Sequence, residues 1–296
     1  MRAVHIYQIL NHYTSRQELD PGFDVLDNSA NARPDWYEYW PIRNFLLNEA
    51  LDEDGFYGFL SPKFRLKTNL SAAEVRQFLQ ESDPATDVVL FSPSIHNSAL
   101  FLNVFEHGNA EHPGLLQVAK DFFARIHHPQ PLEDLISDSR NTVHSNYFIA
   151  KPRFWRAWLA VTEQLFAIAE IADDPLGIRL RTPTQYRGSR NVQMKIFLME
   201  RVATWILAND RSFMVRVRDP FVARSRIYKL PLAIICDALK IAYTTQNRRQ
   251  YKDVFLMLRS LGRFWTLQIR LSEASGVGGA RPYLRILKSY WAKKAG

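Results

Sequence analysis

The most pointed chemistry in the chain lies directly after a short apolar run, in GFYGFLSPKFRLK, where Ser61, Lys63, Arg65 and Lys67 follow one another at alternate positions. Cations placed just past a strand could hold a phosphate or diphosphate, the guanidinium by forking onto its oxygens and the ammonium as a point charge. The same alternation also suits a solvated edge. Before the run, Asp52, Glu53 and Asp54 provide an Asp-x-Asp spacing that could hold a divalent cation, Mn2+ or Mg2+, against a diphosphate. They precede the strand, however, and ligands of α/β sheets gather beyond strand carboxyl ends, so a polar turn closing the preceding helix is the favoured reading of the triplet.

Other candidates are scattered. Glu200 lies in VQMKIFLMERVATWILAND, whose length and period predict one helix with Ile196, Ala203 and Leu207 near the carboxylate. Partial burial would raise its proton affinity and suit it to take a proton from a hydroxyl; an ion pair with Arg201 or Lys195 is the competing reading. His144, Ser145 and Asn146 open an apolar stretch, NYFIAK. The Asn146 amide both donates and accepts, as recognition of a hydroxyl requires, while His144 reads as a base, a phosphate partner or a structural residue. Tyr7 and Gln8 on a first strand, Asn11 just after it, and Asn28 and Asn31 in LDNSAN could stack on a base and bond a ribose. Core packing for Tyr7 and Asx turns for the asparagines are the alternatives.

The elements that must position these residues alternate. AVHIYQI reads as a strand and PGFDVLDNSANARP as a strand followed by a loop. Asp35 and Glu38 have capping-box spacing before a helical segment that restarts at Pro41 and ends near Leu51. FYGFL is a strand, and SAAEVRQFLQES a helix with Ser71 and Glu74 in capping-box spacing. DVVLFSP is a buried strand. Two helical patterns, NSALFLNVFEHG and PGLLQVAKDFFARI, precede a strand over 145–150 and a helix from Pro152 to about Ala172. A loop is expected from Asp173 to Arg190, a late strand in RSFMVRVRDPF and helix from about Pro231. The alternation predicts an α/β domain over residues 1–225 and a helical region over 226–296.

Hydrophobic residues make up 47% of the 296, enough for one large core or two modest ones, and no run approaches the length of a bilayer span or a signal peptide. A cytoplasmic protein is expected. Cys236 is the single cysteine and sits in an apolar helical stretch, which points to an inert thiol. The net charge of +8 is uneven: residues 248–296 hold 11 Lys/Arg against Asp253 and Glu273, giving +9 there and −1 elsewhere. Aromatic and aliphatic residues interleave with Arg259, Arg263 and Arg270, the composition of a helix laid peripherally on an anionic membrane surface, or of one packed on its own domain with a basic rim.

Several segments in order, YWPIRNFLLNEALDEDGFYGFLSPKF, DVVLFSP, HSNYFIAKPRFW and VQMKIFLMERVATWIL, resemble a group of bacterial glycosyltransferases of the capsule and lipopolysaccharide synthesis type, over roughly residues 1–210. The resemblance implies a GT-A-like Rossmann-type sheet flanked by helices, here with a helical basic C-terminal appendage. It implies transfer of a sugar from a nucleotide-diphosphate donor to a cell-surface glycan or lipid-linked acceptor, at the cytoplasmic face of the inner membrane. Tyr7, Gln8, Asn28, Ser61, Lys63, Arg65 and Asn146 would then face the donor, with Glu200 and His144 as catalytic candidates. Metal-dependent members hold a cation with paired aspartates at a strand tip; this chain has Ser61 and Lys63 there, so either basic side chains or a metal on Asp52 and Asp54 would stabilise the leaving diphosphate. Two other classes compete: a nucleic-acid-binding protein using the basic tail, against which stands the lack of any recognition motif, and a non-catalytic scaffold of a glycan assembly locus.

Overall fold

The structure, a computed structural model, describes residues 3–12, 14–93, 95–128, 130–185, 191–221 and 230–260. It divides into two compact units, one of Met1–Pro93 with Asn103–Pro220 and one of Ser94–Leu102 with Phe221–Gly296. The division falls close to the boundary expected at residue 225, but the second unit also takes Ser94–Leu102, which the sequence pattern assigns to the first.

The first unit is an α/β fold. Its six-stranded sheet is built from β1 (Val4–Asn11), β2 (Asp24–Asn28), β3 (Phe56–Leu60), β4 (Val88–Leu90), β5 (Phe148–Ala150) and β8 (Val215–Val217), in the order β2-β1-β3-β5-β4-β8. A separate hairpin pairs β6 (Pro183–Gln185) with β7 (Asn191–Gln193). β1 runs parallel to β2 and β3, and β4 parallel to β8, while β5 is antiparallel to both its neighbours. The sheet is therefore mixed, with one reversed strand in its interior, and with helices on both faces it is compatible with a Rossmann-like fold.

Strand side chains alternate between two cores, as the pleat requires. Tyr57, Phe59, Val88, Leu90 and Phe148 face the larger core with Ile9; Ile6, Phe56, Leu60, Val89 and Ile149 face the smaller. On the larger side lie α1 (Tyr39–Asn48), α5 (Val104–Glu111), α6 (Leu115–Arg125), α7 (Pro152–Glu170), α8 (Pro175–Arg181), α9 (Met194–Met199) and α10 (Val202–Asn209); on the smaller lie α2 (Phe64–Thr68) and α3 (Ala72–Gln80). Gly58 is required in β3 because a Cβ there would stand 2.7 Å from Ile149 Cγ1 of the reversed strand. The capping box predicted at Ser71 and Glu74 opens α3, with Ser71 Oγ accepting from Glu74 N and Glu74 accepting from Ser71 N.

Several segments depart from the sequence pattern: the helix expected over NSALFLNVFEHG is broken between Ser98 and Val104, and the strand expected over 145–150 starts at Phe148. The expected loop from Asp173 holds α8, opened by Asp174 accepting from the Leu176 and Gly177 amides, with Pro175 in its first turn. The single helix expected over Glu200 is two helices, α9 and α10, with Glu200 and Arg201 at the break between them. Glu200 thus caps a helix end rather than lying on a helix face.

In the second unit α11 (Leu230–Gln246) packs with α4 (Ile95–Ser98). Ala233, Cys236 and Phe255 are buried there, and the buried Lys240 donates to the Phe101 carbonyl at 3.1 Å. Burial pushes the Cys236 thiol up to about 11, in keeping with an inert residue. Among the described residues no helix is long and apolar enough to cross a membrane. The tail from 261 to 296, including Arg263 and Arg270, lies outside the described residues.

Candidate functional site

Strand direction alone brings the site together. β1, β2 and β3 are parallel and end at Asn11, Asn28 and Leu60, while the reversed β5 begins at Phe148, so residues after the first three and before the fourth share one rim of the sheet. That rim holds a cavity of about 720 Å3. Asn11 and His12 line it from β1, Asn28 and Asn31 from β2, Ser61, Lys63 and Lys67 from β3 and α2, and Ser145 and Asn146 from the approach to β5. Trp36, Tyr37 and Glu38 form one wall and Phe197, Met199 and Glu200 another. This is the position at which open α/β sheets take ligands.

Two carboxylates dominate its electrostatics. Glu38 accepts from Asn146 Nδ2 at 2.8 Å and from the Ser61 hydroxyl. Glu200 accepts from Ser145 Oγ at a long 3.5 Å, and its side chain is 39% exposed to the cavity although protein surrounds it deeply. Enclosure raises the proton affinity of both; the charge of Glu200 raises Glu38 further, against the smaller opposing effects of Ser61, Lys67 and Asn146. For Glu200, Arg201, Lys67 and Ser145 oppose burial without overcoming it. Arg201 stands 3.9 Å away and is committed elsewhere, its Nε to the Val104 carbonyl and its Nη1 to that of Phe197.

The segments bearing these acids are pinned by a second set of charges. Lys195, fully buried on α9, places Nζ 2.7 Å from Asp35 Oδ2 and 4.0 Å from the centre of the Trp36 ring. Arg33 forks onto both Asp35 oxygens and reaches Glu170, which also accepts from Trp36 Nε1. Burial alone would raise Asp35, but the hydrogen bonds from Arg33 and Lys195 outweigh it and hold the carboxyl at about 2. Arg43 likewise forks onto Glu163, which accepts from the Tyr39 hydroxyl at 2.7 Å. Three of the non-glycine residues at positive φ, Asn31 at 46°, Tyr37 at 48° and Ser145 at 52°, line the cavity beside Glu38 and Asn146. For tyrosine and serine such a backbone carries strain, which collects where surrounding contacts hold a site in shape.

Of the residues expected to face a ligand, Asn28, Ser61, Lys63, Asn146 and Glu200 come together here, with Asn11, Asn31 and Lys67. The others do not. Tyr7 packs between Phe45 and Phe59 in the larger core. Gln8 is buried and spent on backbone: its amide donates to the Ser61 and Pro62 carbonyls and accepts from Asp20 N, which fixes the loop leaving β3. Arg65 turns outward on α2 to Asp20 at 3.8 Å, its side chain 69% exposed. α2 is the reason: in a helix the i and i+4 positions share a face, so Lys63 and Lys67 meet the cavity and Arg65 between them does not. His144 lies outside the lining, its ring beside His107 and its amide bonded to Ser92 Oγ.

Asp52 and Asp54 precede β3 and so stand at the opposite rim, where Asp52 Oδ1 accepts from Asp54 N in a turn. They do not fit a cation carried by a ligand in this cavity, and among the described residues no group of three His, Cys, Asp or Glu is disposed to hold a metal ion. Glu38, His12 and Tyr37 were not legible as site residues; the Asp35 and Glu38 spacing imitates a local helix cap, whereas the partner of Glu38 is Asn146, 108 residues away. Compared with known proteins, the chain matches no family model, no curated protein and no solved structure.

Proposed function

We propose that the first unit is a glycosyltransferase that uses a nucleotide-diphosphate sugar. The observation that carries this is the meeting, at one rim of an α/β sheet, of a lysine pair one helical turn apart with two carboxylates of raised proton affinity. Support for a GT-A-like reading comes from the sheet order, in which the parallel β2, β1 and β3 are followed by a single reversed interior strand, an argument from fold analogy.

In this reading Asn11, Asn28 and Asn31 receive the nucleoside, and Lys63 and Lys67 receive the diphosphate. The bond from the anomeric carbon to the donor phosphate oxygen breaks and one to the acceptor hydroxyl oxygen forms. Lys63 and Lys67 neutralise the charge that gathers on the departing diphosphate, in place of a metal. Glu200 takes the acceptor proton, a role that its raised proton affinity favours. Glu38 and Asn146, already bonded to each other, hold sugar hydroxyls. The acceptor is a cell-surface glycan or a lipid-linked sugar, and the basic tail brings the enzyme to the anionic inner face of the membrane.

The test is calorimetric binding and turnover with uridine-, guanosine- and thymidine-diphosphate sugars, with and without excess chelator. Binding of one nucleotide class and turnover that survives chelation are expected. Loss of all turnover in chelator would remove the lysine role, and no binding by any donor would remove the transferase reading. Sedimentation with anionic and neutral liposomes, comparing the full chain with one ending at residue 247, tests the tail.

A further inference from the structure

Three cations are placed to act on the carboxylate pair or beside it, and they differ in freedom. Arg201 acts on Glu200 but is anchored to the Val104 and Phe197 carbonyls. Lys63 stands in the cavity at the head of α2. Lys67, one turn on, is the cation whose charge acts on both Glu38 and Glu200. It is nevertheless an exposed residue, its ammonium 5.3 Å from the centre of the Tyr147 ring, and among the described residues it forms no direct ion pair. A lysine on a flexible four-carbon stem, near two acids and locked to neither, can be drawn to a stronger anion.

Resting on the nucleotide-sugar reading above, we infer that Lys67 is a shared cation: it compensates Glu38 and Glu200 until a diphosphate binds, then moves to the diphosphate, so that donor binding and proton capture by the carboxylate pair are coupled. The balance is simple. No covalent bond changes; one positive charge leaves the carboxylates, two negative phosphate charges arrive beside them, and a proton from solvent replaces the lost cation on Glu38, which leaves Glu200 free to take the acceptor proton. The other titratable groups facing the pair are His12, Lys63 and Tyr147 in the cavity, Tyr37 and Tyr39 on the segment carrying Glu38, and Arg201 beside Glu200. Tyr39 is committed to Glu163, and Arg201 as described, so neither can exchange partners as Lys67 can.

The experiment is calorimetry of the full chain with uridine-, guanosine- and thymidine-diphosphate sugars near neutral pH, in buffers of different protonation enthalpy. The diphosphate of a nucleotide sugar has no proton that titrates there, so any proton exchanged belongs to the protein. Uptake of roughly half a proton per donor bound is expected from linkage between pair and ligand. Lys67→Met should reduce that uptake by at least about half, because its carboxylates are already more protonated before binding. Lys63→Met should weaken binding and leave the uptake in place, and the double variant Glu38→Gln, Glu200→Gln should abolish it. Donor binding without uptake, or uptake unchanged in Lys67→Met, would overturn the coupling and leave the nucleotide-sugar reading standing. Binding by none of the donors would overturn both.

Discussion

Asp35 and Glu38 lie three residues apart on one segment, and Lys195 and Glu200 five apart on another, yet the two pairings are opposites. Asp35 meets Lys195 at 2.7 Å with Arg33 behind it, so a buried cation and a half-buried acid of opposite charge satisfy each other. Glu38 meets Glu200, so like charges are brought to one cavity and repel. The same two stretches of chain therefore carry a strut and, a turn away, a conflict. A fold can sustain the second only because the first prevents the segments from parting, and this is the usual relation between a rigid support and a reactive site.

The comparison is broken most severely by removing the reactive acid. Glu200→Gln keeps the shape and removes the proton acceptor; turnover with a competent donor and acceptor should fall by about 10²- to 10⁴-fold, the usual contribution of a general base. Turnover within a few-fold of wild type would place the base elsewhere. Lys195→Met breaks the strut from the lysine side and leaves Asp35, a third exposed, with Arg33 alone, which should cost about 1–3 kcal/mol in denaturant unfolding, the range for loss of a hydrogen bond to a charged group. Adding Asp35→Asn should recover part of that loss, since Asp35 then needs no counter-charge; no recovery would mean that the lysine matters by packing alone.

The two pairings also answer pH with opposite sign. Asp35 is held at about 2, below the value of an unfolded aspartate, so its contribution is present above the unfolded value and is lost as pH falls through about 2. The acid limb of a stability curve should therefore flatten in Asp35→Asn. Glu38 and Glu200 have raised affinities, so the folded state is favoured while they hold protons and loses that advantage as pH rises through their folded values. Glu38→Gln should accordingly stabilise the protein by about 1 kcal/mol at pH 8 and hardly at all near pH 4, read as a difference in Tm. A variant less stable at pH 8 than the parent would mean that the Asn146 hydrogen bond outweighs the repulsion.

What the sequence makes legible follows from the range of the forces involved. The strands FYGFL and DVVLFSP, and the Ser71 cap, are set by residues within one turn or one pleat, and they stand where the pattern places them. α8 carries local signals in Asp174 and Pro175, but it also holds Gly177 in its interior, where glycine disfavours a helix. The glycine is there because a Cβ would stand 2.5 Å from the Ile168 carbonyl, a contact between helices that no local pattern reports. The break at Glu200 is hidden for the same reason: MKIFLMERVATWIL is apolar enough to continue as one helix, and tertiary packing interrupts it. Lys63, Ser61 and Asn28 could be found because the carboxyl end of a strand is a place that sequence reveals, and Asn146 because it leads into a strand. Glu38 could not, since its meaning lies in Asn146 and Glu200.

The reversed strand has a further consequence for anyone who would open the chain. Because β5 enters the sheet where its neighbours leave it, one rim gathers the polar lining residues that follow β1, β2 and β3 and precede β5, while the opposite rim, where β5 leads into α7, holds the Asp52–Asp54 turn. The idle rim is a place for surgery. A reporter domain inserted at residues 53–54 would interrupt an exposed turn tied by the surface pair of Glu53 with Arg156, by Asp52 N donating to the Tyr57 hydroxyl and by the bonds within the turn itself. Such an insertion leaves the strand order and the cavity as they are, whereas the same insertion at Ser61 or Ser145, a strand's length away, would divide the site.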